Sequence, residues 1–129
     1  MTQQELKNRT KQLSIRVIRL FESLPKTTAS NAIGRQLIRS GTSVGANYRA
    51  ACRAKSTADF INKLAIVEEE ADESIYWIEL LVESEQVKPN LVEKLIQEFD
   101  EILSIIVAAI STSKARRNPK SAIPIPKSI

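Results

Sequence analysis

The sequence predicts an all-α protein, an up-down-up-down four-helix bundle. Three observations lead to this prediction. The chain of 129 residues contains only three glycines and 5% aromatic residues, a composition that favours helices over β-strands. Its apolar residues recur at intervals of three and four, which is the period of one helix face. Four such stretches are separated by short connections, as expected of antiparallel neighbours in a bundle.

The first two helices are expected at residues 4–24 and 29–55. Apolar residues with heptad-like spacing define the first helix, and Pro25 ends it. The second helix contains all three glycines of the chain: Gly34, Gly41 and Gly45. Glycine costs about 1 kcal/mol relative to alanine inside a helix. Because these glycines share one stripe of the helix, they indicate that another backbone approaches it closely.

The last two helices follow from a capping sequence and a proline. Ser56-Thr57-Ala58-Asp59 has the hydroxyl-to-carboxylate spacing of a capping box, so the third helix is expected at residues 57–84. Lys88-Pro89-Asn90 begins the fourth helix, because proline suits the first helical turn. The bundle domain is therefore assigned to residues 1–113. The basic, proline-containing tail at 114–129 is expected to be flexible.

The apolar faces of the second, third and fourth helices are wider than a monomeric bundle requires. A monomer needs one apolar seam on each helix, whereas these helices also carry apolar residues at the edges of the seam. Apolar surface beyond that need is typical of proteins that associate. We therefore expect a homo-oligomer in which helices of neighbouring subunits pack together.

The sequence indicates a cytoplasmic protein without a membrane segment. A single cysteine, Cys52, excludes a disulfide within the chain and suits a reducing compartment. The N-terminal sequence MTQQELKNRTK lacks the apolar core of a signal peptide. The longest nearly apolar run, residues 102–110, is too short to span a bilayer. We therefore expect no membrane partner.

The chain contains no histidine, and this excludes several kinds of active site. Ser-His and Cys-His nucleophile pairs, the Glu-x-x-His motif of di-iron bundles and histidine zinc sites all need that residue. We therefore expect no enzyme activity, and no catalytic residue, metal or cofactor is assigned. Cys52 lies on a stripe of small residues and is interpreted as a packing residue.

One acidic cluster leaves an alternative open. Glu69, Glu70 and Glu73 fit the Glu-Glu-x-x-Glu motif with which all-helical nucleotide pyrophosphatases hold Mg²⁺, a cation that prefers oxygen ligands. The second motif of those enzymes is only approximated, by Glu98 and Glu101. The interpretation we prefer is structural. Glu70 lies at the edge of the apolar face, where a carboxylate requires a cationic partner such as an arginine of the second helix.

Charge is strongly segregated along the chain. Residues 1–55 carry a net charge of +9, residues 56–103 carry −10 and residues 104–129 carry +5. Two charge-complementary helical hairpins would show this pattern, and so would a polyanion-binding face backed by an acidic one. The sequence leaves both explanations open.

A basic stripe on the second helix is the main candidate for a binding surface. It consists of four arginines: Arg35, Arg39, Arg49 and Arg53. One interpretation pairs Arg39 or Arg49 with acids of the third helix. The other has all four, together with Lys55, face the phosphates of RNA or DNA. Aromatic side chains for base stacking are scarce, so such binding would be directed to the backbone, with little sequence specificity.

The central segment, residues 39–81, has a specific pattern. The pattern combines the following elements: Arg39-Ser40, Ser43-Val44-x-x-Asn47-Tyr48, Arg53, Phe60, Lys63-Leu64, Glu70-Ala71-Asp72-Glu73 and Trp77. With this pattern the chain resembles the 23S rRNA intervening-sequence proteins, a family of bacterial four-helix bundle proteins also labelled S23. The resemblance extends more loosely over residues 6–112.

The resemblance implies a ring-like homopentamer of four-helix bundles. It also implies a fold similar to the accessory variability protein of diversity-generating retroelements, a basic pentameric barrel that works with nucleic acid and a reverse transcriptase. The family supplies no catalytic residues to carry over. Five of its motif residues are expected to form a buried polar network instead: Arg39, Asn47, Tyr48, Glu70 and Glu73.

We therefore expect a non-enzymatic, pentameric bundle that binds an RNA or DNA backbone through a basic surface. Arg35 and Arg53 are the better candidates for an external phosphate, since Arg39 and Arg49 are expected to be tied into the bundle or a subunit interface. One alternative is a protein–protein adaptor with no direct nucleic-acid binding, which the surplus apolar surface favours. The second is the Mg²⁺-dependent nucleotide pyrophosphatase.

Overall fold

The computed structural model describes residues 1–117 as four α-helices and short connections, with no β-strand in that range. The helices are α1 (Gln3–Ser23), α2 (Thr28–Cys52), α3 (Thr57–Glu83) and α4 (Pro89–Arg117). The all-α prediction is confirmed for this part of the chain. The predicted tail begins at residue 114, whereas α4 continues to Arg117, and residues 118–129 of that tail lie outside the described residues. No helix in residues 1–117 is both long enough and apolar enough to cross a bilayer.

Side-chain hydroxyls begin the first three helices. Thr2, Thr27 and Ser56 each accept a hydrogen bond from a backbone N–H of the first turn, at 3.0–3.1 Å. A cap of this kind stabilises a helix by about 1 kcal/mol. Asp59 also accepts the backbone N–H of Lys55 at 3.1 Å. This local capping before α3 accounts for the end of α2 three residues earlier than the predicted residue 55.

Consecutive helices run antiparallel and pack against each other. As the chain passes along α2 from Gly34 to Gly45, the nearest α1 residues run backwards from Phe21 to Thr10. α4 packs against α3 and also meets α1, so the order around the bundle is α1, α2, α3, α4. This arrangement is consistent with the predicted up-down-up-down bundle. It places the outer groove of the α1–α2 hairpin and that of the α3–α4 hairpin on opposite sides of the molecule.

Large apolar side chains fill the interior of the bundle. Twelve are fully buried: Leu13, Val17, Leu37, Val44, Leu64, Val67, Ile78, Leu81, Val92, Phe99, Ile102 and Ile106. One buried polar contact interrupts this core, because the hydroxyl of Ser74 donates to that of Ser40 at 2.7 Å and joins α3 to α2. Among the described residues, every buried side-chain nitrogen and oxygen has a hydrogen-bond partner, as expected of a stable interior.

α1 and α2 approach each other closely at the glycines of α2. A Cβ atom at Gly41 would lie 2.9 Å from Cγ2 of Val17, and one at Gly45 would lie 3.2 Å from the carbonyl oxygen of Thr10. The second contact is with backbone, which moves less easily than a side chain. The close approach predicted from the glycine spacing is therefore confirmed at Gly45.

Candidate functional site

The four arginines of the basic stripe lie on the exposed side of α2, but their surroundings differ. Arg39 leans toward α3, where it meets two carboxylates. Arg49 leans toward α1 and lines a groove between the two helices. Arg35 and Arg53 are exposed near the two ends of the stripe, about 27 Å apart along the helix at 1.5 Å per residue.

Arg39 is held by two acids of α3. Its Nη1 lies 3.2 Å from Oε2 of Glu70, and its Nη2 lies 2.6 Å from Oε1 of Glu73. Trp77 donates its indole N–H to Glu73 Oε1 at 3.3 Å. The guanidinium is therefore neutralised locally, and less of its charge is available to an external phosphate than at the other arginines of the stripe.

The two carboxylates respond to Arg39 differently because they are buried to different degrees. Burial raises the pKa of Glu70 above its ordinary value, although the nearby Arg39 acts in the opposite direction. The hydrogen bond from Arg39 lowers the pKa of Glu73. The same hydrogen bond to Glu73 is the main reason why the pKa of Arg39 is raised. Glu70 thus has the environment in which a cationic partner is needed, and Arg39 supplies that partner.

Asn47 and Tyr48, the other two residues of the predicted polar network, make different contacts. The side chain of Asn47 donates to the carbonyl oxygen and the hydroxyl of Ser43 on its own helix, at 2.9 Å and 2.7 Å. Tyr48 is buried next to Cys52, and burial raises the pKa of its phenol. The structure therefore brings together Arg39 and the two glutamates, while Asn47 and Tyr48 have local partners on α2.

A second surface collects basic side chains at one end of the bundle. A depression of about 440 Å³ is lined there by Lys55 and, from the last turn of α4, by Arg116 and Arg117. Arg53 precedes Lys55 by two residues and is also exposed. No carboxylate of residues 1–117 lines this depression. We call Arg53, Lys55, Arg116 and Arg117 the basic end.

Arg116 and Arg117 are not among the sequence-predicted site residues, because the sequence predicts a basic tail from residue 114 instead of a further helical turn. A signal was nevertheless present. In an up-down-up-down bundle, α2 and α4 both finish at the same end of the molecule, so basic residues at the two helix ends must come near each other. A fourth helix predicted to end one turn later would have placed Arg116 and Arg117 near the end of α2.

Few of the basic side chains are paired inside the chain. Within residues 1–117, only Arg9, Arg39 and Lys63 lie within 4.0 Å of a carboxylate oxygen. Arg9 binds Glu98 at 2.6 Å and Glu101 at 3.1 Å, and so ties α1 to α4. The segregated charge of the sequence is thus compensated within the chain at a few points only.

The two acidic motifs of the pyrophosphatase alternative are each engaged by a guanidinium. Arg39 takes the place of a cation next to Glu70 and Glu73, between α2 and α3. Arg9 does the same next to Glu98 and Glu101, between α1 and α4. In the part of the chain that the structure describes, no three Asp, Glu or Cys side chains are placed to hold a metal ion.

Comparison with known proteins gives one family and one fold. The family model of the 23S rRNA-intervening sequence proteins matches residues 2–108, a range that spans most of the four helices. A crystal structure from Bacteroides thetaiotaomicron VPI-5482, of a protein with unknown function from the S23 ribosomal protein family, is 35% identical to this chain. The similarity covers 85% of this chain and 98% of that one, with a TM-score of 0.79. A search of curated proteins finds no match.

Proposed function

This chain belongs to the 23S rRNA-intervening sequence protein family, and on that premise we propose that it is a non-enzymatic, oligomeric helical protein that binds the phosphate backbone of RNA or DNA. The observation that carries the proposal is the basic end. Lys55, Arg116 and Arg117 line one depression without an acid among its lining residues. Cations that have no counter-charge of their own protein can replace the counterions of a nucleic acid, and the release of those counterions drives binding.

The residues of the basic end suit phosphate rather than bases. A guanidinium donates two parallel N–H groups, which match two oxygens of a phosphate. Lys55 adds a point charge between the two helix ends. Stacking of bases would need exposed aromatic rings, and Phe60 is the only aromatic residue that lines this depression. We therefore propose binding with little sequence specificity.

The sequence-predicted candidates divide accordingly. Arg53 and Lys55 belong to the basic end, and Arg35, about 27 Å from Arg53 along the helix, is a separate candidate for a phosphate contact. Arg39, which two carboxylates engage, and Arg49, which faces the α1 groove, are assigned to the bundle and to assembly.

We further propose that the chain assembles as a homopentamer in the cytoplasm. Large apolar side chains remain exposed on the single chain: Ile18, Ile66, Tyr76 and Leu91. Five copies would present five basic ends, and weak phosphate contacts then add through multivalency. The sequence-based likeness to the accessory variability protein of retroelements favours the same assembly and partner. Light scattering is expected to give five times the chain mass of 14.4 kDa, and a monomer at micromolar concentration contradicts this part of the proposal.

The nucleic-acid proposal is tested by removing charge at one end of the bundle or at the other. The test variant combines Lys55→Gln, Arg116→Gln and Arg117→Gln. The matched control combines Arg19→Gln, Lys26→Gln and Lys88→Gln, which are exposed residues at the opposite end. Both variants lose three positive charges, so a difference between them reports position rather than net charge.

The readout is the affinity for a short DNA or RNA duplex as a function of salt. Each phosphate contact adds about 0.9 to the slope of log K against log salt for duplex DNA. The test variant is expected to lower that slope by about three, while the control leaves it unchanged. Equal slopes for both variants would overturn the assignment to the basic end. No binding by the unaltered protein at low salt would overturn nucleic-acid binding itself and favour the protein–protein adaptor.

A further inference from the structure

Two grooves of similar size and opposite charge lie on opposite sides of the bundle. The basic groove, between α1 and α2, has a volume of about 480 Å³, and its charged lining residues are Lys7, Lys11 and Arg49. The acidic groove, between α3 and α4, has a volume of about 510 Å³. Its charged lining residues are Glu68, Glu69, Asp72 and Asp100. Among the described residues, neither groove is lined by a charge of the other sign.

Within residues 1–117, none of these seven charges has an ionic partner. The ion pairs of the described residues involve other side chains, and no carboxylate lies within 4.0 Å of Lys7, Lys11 or Arg49. Like charges that face each other across a groove repel, and a surface of the opposite sign relieves that repulsion. Each groove therefore favours a partner of the opposite charge.

The floors of the two grooves also suit a close contact. Ala46 is exposed and forms part of the basic groove, and its small side chain leaves room for side chains of a partner. Leu103 and Val107 form part of the acidic groove and offer an apolar surface beneath its carboxylates. Lysine and arginine bring long apolar stems as well as a charge, and those stems can pack against such a floor.

We infer that the acidic groove of one copy of this chain receives the basic groove of a second copy. This inference rests on the proposed self-association and adds the surfaces through which it takes place. One occupant then accounts for both grooves, whereas a nucleic acid bound in the basic groove would leave the acidic groove without a partner. The same contact places Arg49 in the subunit interface and leaves the basic end open to phosphates.

The proposed interface joins two different surfaces, so it is heterologous. Each subunit that has docked through one groove still presents the other groove, and addition continues until the rotation between neighbours closes a ring. A closed ring leaves no groove without a partner. Because the paired charges lie at the rims of the grooves, high salt is expected to weaken the assembly.

Two neutralised variants test the inference. The first replaces the basic groove charges with Lys7→Gln, Lys11→Gln and Arg49→Gln. The second replaces three acidic groove charges with Glu68→Gln, Glu69→Gln and Asp72→Asn. The three acidic changes are isosteric, the three basic changes keep a polar side chain, and none of the six residues is buried. Far-UV circular dichroism checks that each variant is folded. Each variant keeps one native groove.

Each variant alone is expected to be monomeric at a concentration at which the unaltered chain is an oligomer. Mixed in equal amounts, the two variants are expected to form a complex of two chains and no larger species, because only one native interface remains to be made. Native mass spectrometry with one variant ¹⁵N-labelled shows that the complex contains one chain of each kind. Salt at 1 M is expected to dissociate it.

Three other results would overturn the inference. If both variants keep the oligomer of the unaltered chain, the grooves are not the interface, although self-association stands. If the two variants are monomeric and remain so when mixed, the grooves do not bind each other. If the acidic-groove variant and neutralisation of Lys120 and Lys127 of the tail both abolish assembly while the basic-groove variant does not, the acidic groove binds the tail rather than the basic groove. If the unaltered chain is a monomer, the proposal of self-association is wrong. The proposal of nucleic-acid binding is tested independently, by the salt dependence of the affinity.

Discussion

The α1–α2 hairpin and the α3–α4 hairpin are packed with residues of different size. The first brings two backbones together at glycines, so that the position of a Cβ at Gly45 is already close to the backbone of Thr10. The second buries large side chains such as Phe99 and Ile102 in the core of the bundle. The first hairpin should therefore be damaged most by added atoms, and the second by removed atoms.

The two hairpins differ in charge as well. The α1–α2 half of the sequence is strongly basic, and the α3–α4 half is strongly acidic up to residue 103. Direct ion pairs join the halves at only two places in the described residues, through Arg39 between α2 and α3 and through Arg9 between α1 and α4. The charge difference is thus mostly displayed outward, where it is available to partners.

Removing a large side chain from the α3–α4 hairpin should have the largest effect. Phe99 is fully buried, and Phe99→Ala is expected to lower the free energy of unfolding by about 3–5 kcal/mol, because it leaves a cavity. Urea denaturation at a fixed protein concentration measures the change. The control is Gln97→Ala on the same helix, whose side chain is exposed, and its effect should stay within about 0.5 kcal/mol. Equal effects of the two variants would contradict the buried position of Phe99.

Adding one methyl group to the α1–α2 hairpin should have a smaller effect than the cavity at Phe99. A Cβ at Gly41 would lie 2.9 Å and 3.1 Å from the two methyl carbons of Val17. Overpacking costs about 1–3 kcal/mol, and Gly41→Ala offsets about 1 kcal/mol of this through its better helix propensity. We expect a net loss of about 1 kcal/mol, measured by the same denaturation experiment.

Two further variants separate the effect of overpacking on stability from the effect of helix propensity. Ala46 is exposed on the same helix, so Ala46→Gly should cost about 1 kcal/mol through propensity alone. In the Gly41→Ala background, Val17→Ala should cost less than it does in the unaltered protein, because it removes the methyl groups that collide. A gain of stability in Gly41→Ala would show that Val17 moves aside at little cost.

The glycines and the apolar periodicity made most of this fold predictable. The spacing of Gly34, Gly41 and Gly45 on one stripe predicts a close helix approach, and this inference needs only the helical period. Helix ends were harder, because they depend on which residues cap the next helix. Asp59 accepts the N–H of Lys55, and this contact ends α2 earlier than the apolar pattern indicates.

The candidate site was less predictable than the fold, because its properties depend on neighbours far away in sequence. The four arginines of the stripe look equivalent on a helical projection. Only the tertiary arrangement shows that Arg39 meets carboxylates, that Arg49 faces α1 and that Arg53 lies at an end shared with α4. Side chains this long reach different partners from similar backbone positions, and sequence spacing does not contain that information.

The junction between the two hairpins contains a buried hydroxyl pair, and its loss should have a moderate effect. Ser74→Ala leaves the buried hydroxyl of Ser40 with only a long contact of 3.4 Å to the carbonyl oxygen of Leu37. The expected cost is about 1–2 kcal/mol, the penalty for a poorly satisfied buried polar group. The double variant Ser40→Ala with Ser74→Ala should be less destabilised than the sum of the single variants. Additive losses in thermal or urea unfolding would show that the two hydroxyls act independently.

The smallest effect is expected at the exposed ion pair that joins the hairpins, and it should depend on pH. Hydrogen bonding lowers the folded-state pKa of Glu73, so its contribution to stability is present above the unfolded-state pKa and is lost as the pH falls through the folded-state value. Burial raises the folded-state pKa of Glu70, so its contribution is present at low pH and is lost as the pH rises through the folded-state value. The two glutamates therefore oppose each other in the unaltered protein.

Arg39→Gln removes that balance. Glu73 loses the hydrogen bond that lowers its pKa, and the pKa of Glu70 rises further because the cation that opposed its burial is gone. The variant should lose more stability at pH 7 than at pH 3.5, by less than about 1 kcal/mol, since Arg39 is half exposed. Arg35→Gln, on the same helix and without a carboxylate of residues 1–117 within 4.0 Å, should show no such difference.

Urea midpoints at the two pH values measure the effect, and ¹³C NMR titration of the glutamate carboxyl groups shows whether the two pKa values move upward as expected. If Arg39→Gln and Arg35→Gln respond to pH alike, the link between the two hairpins through Arg39 has no energetic consequence.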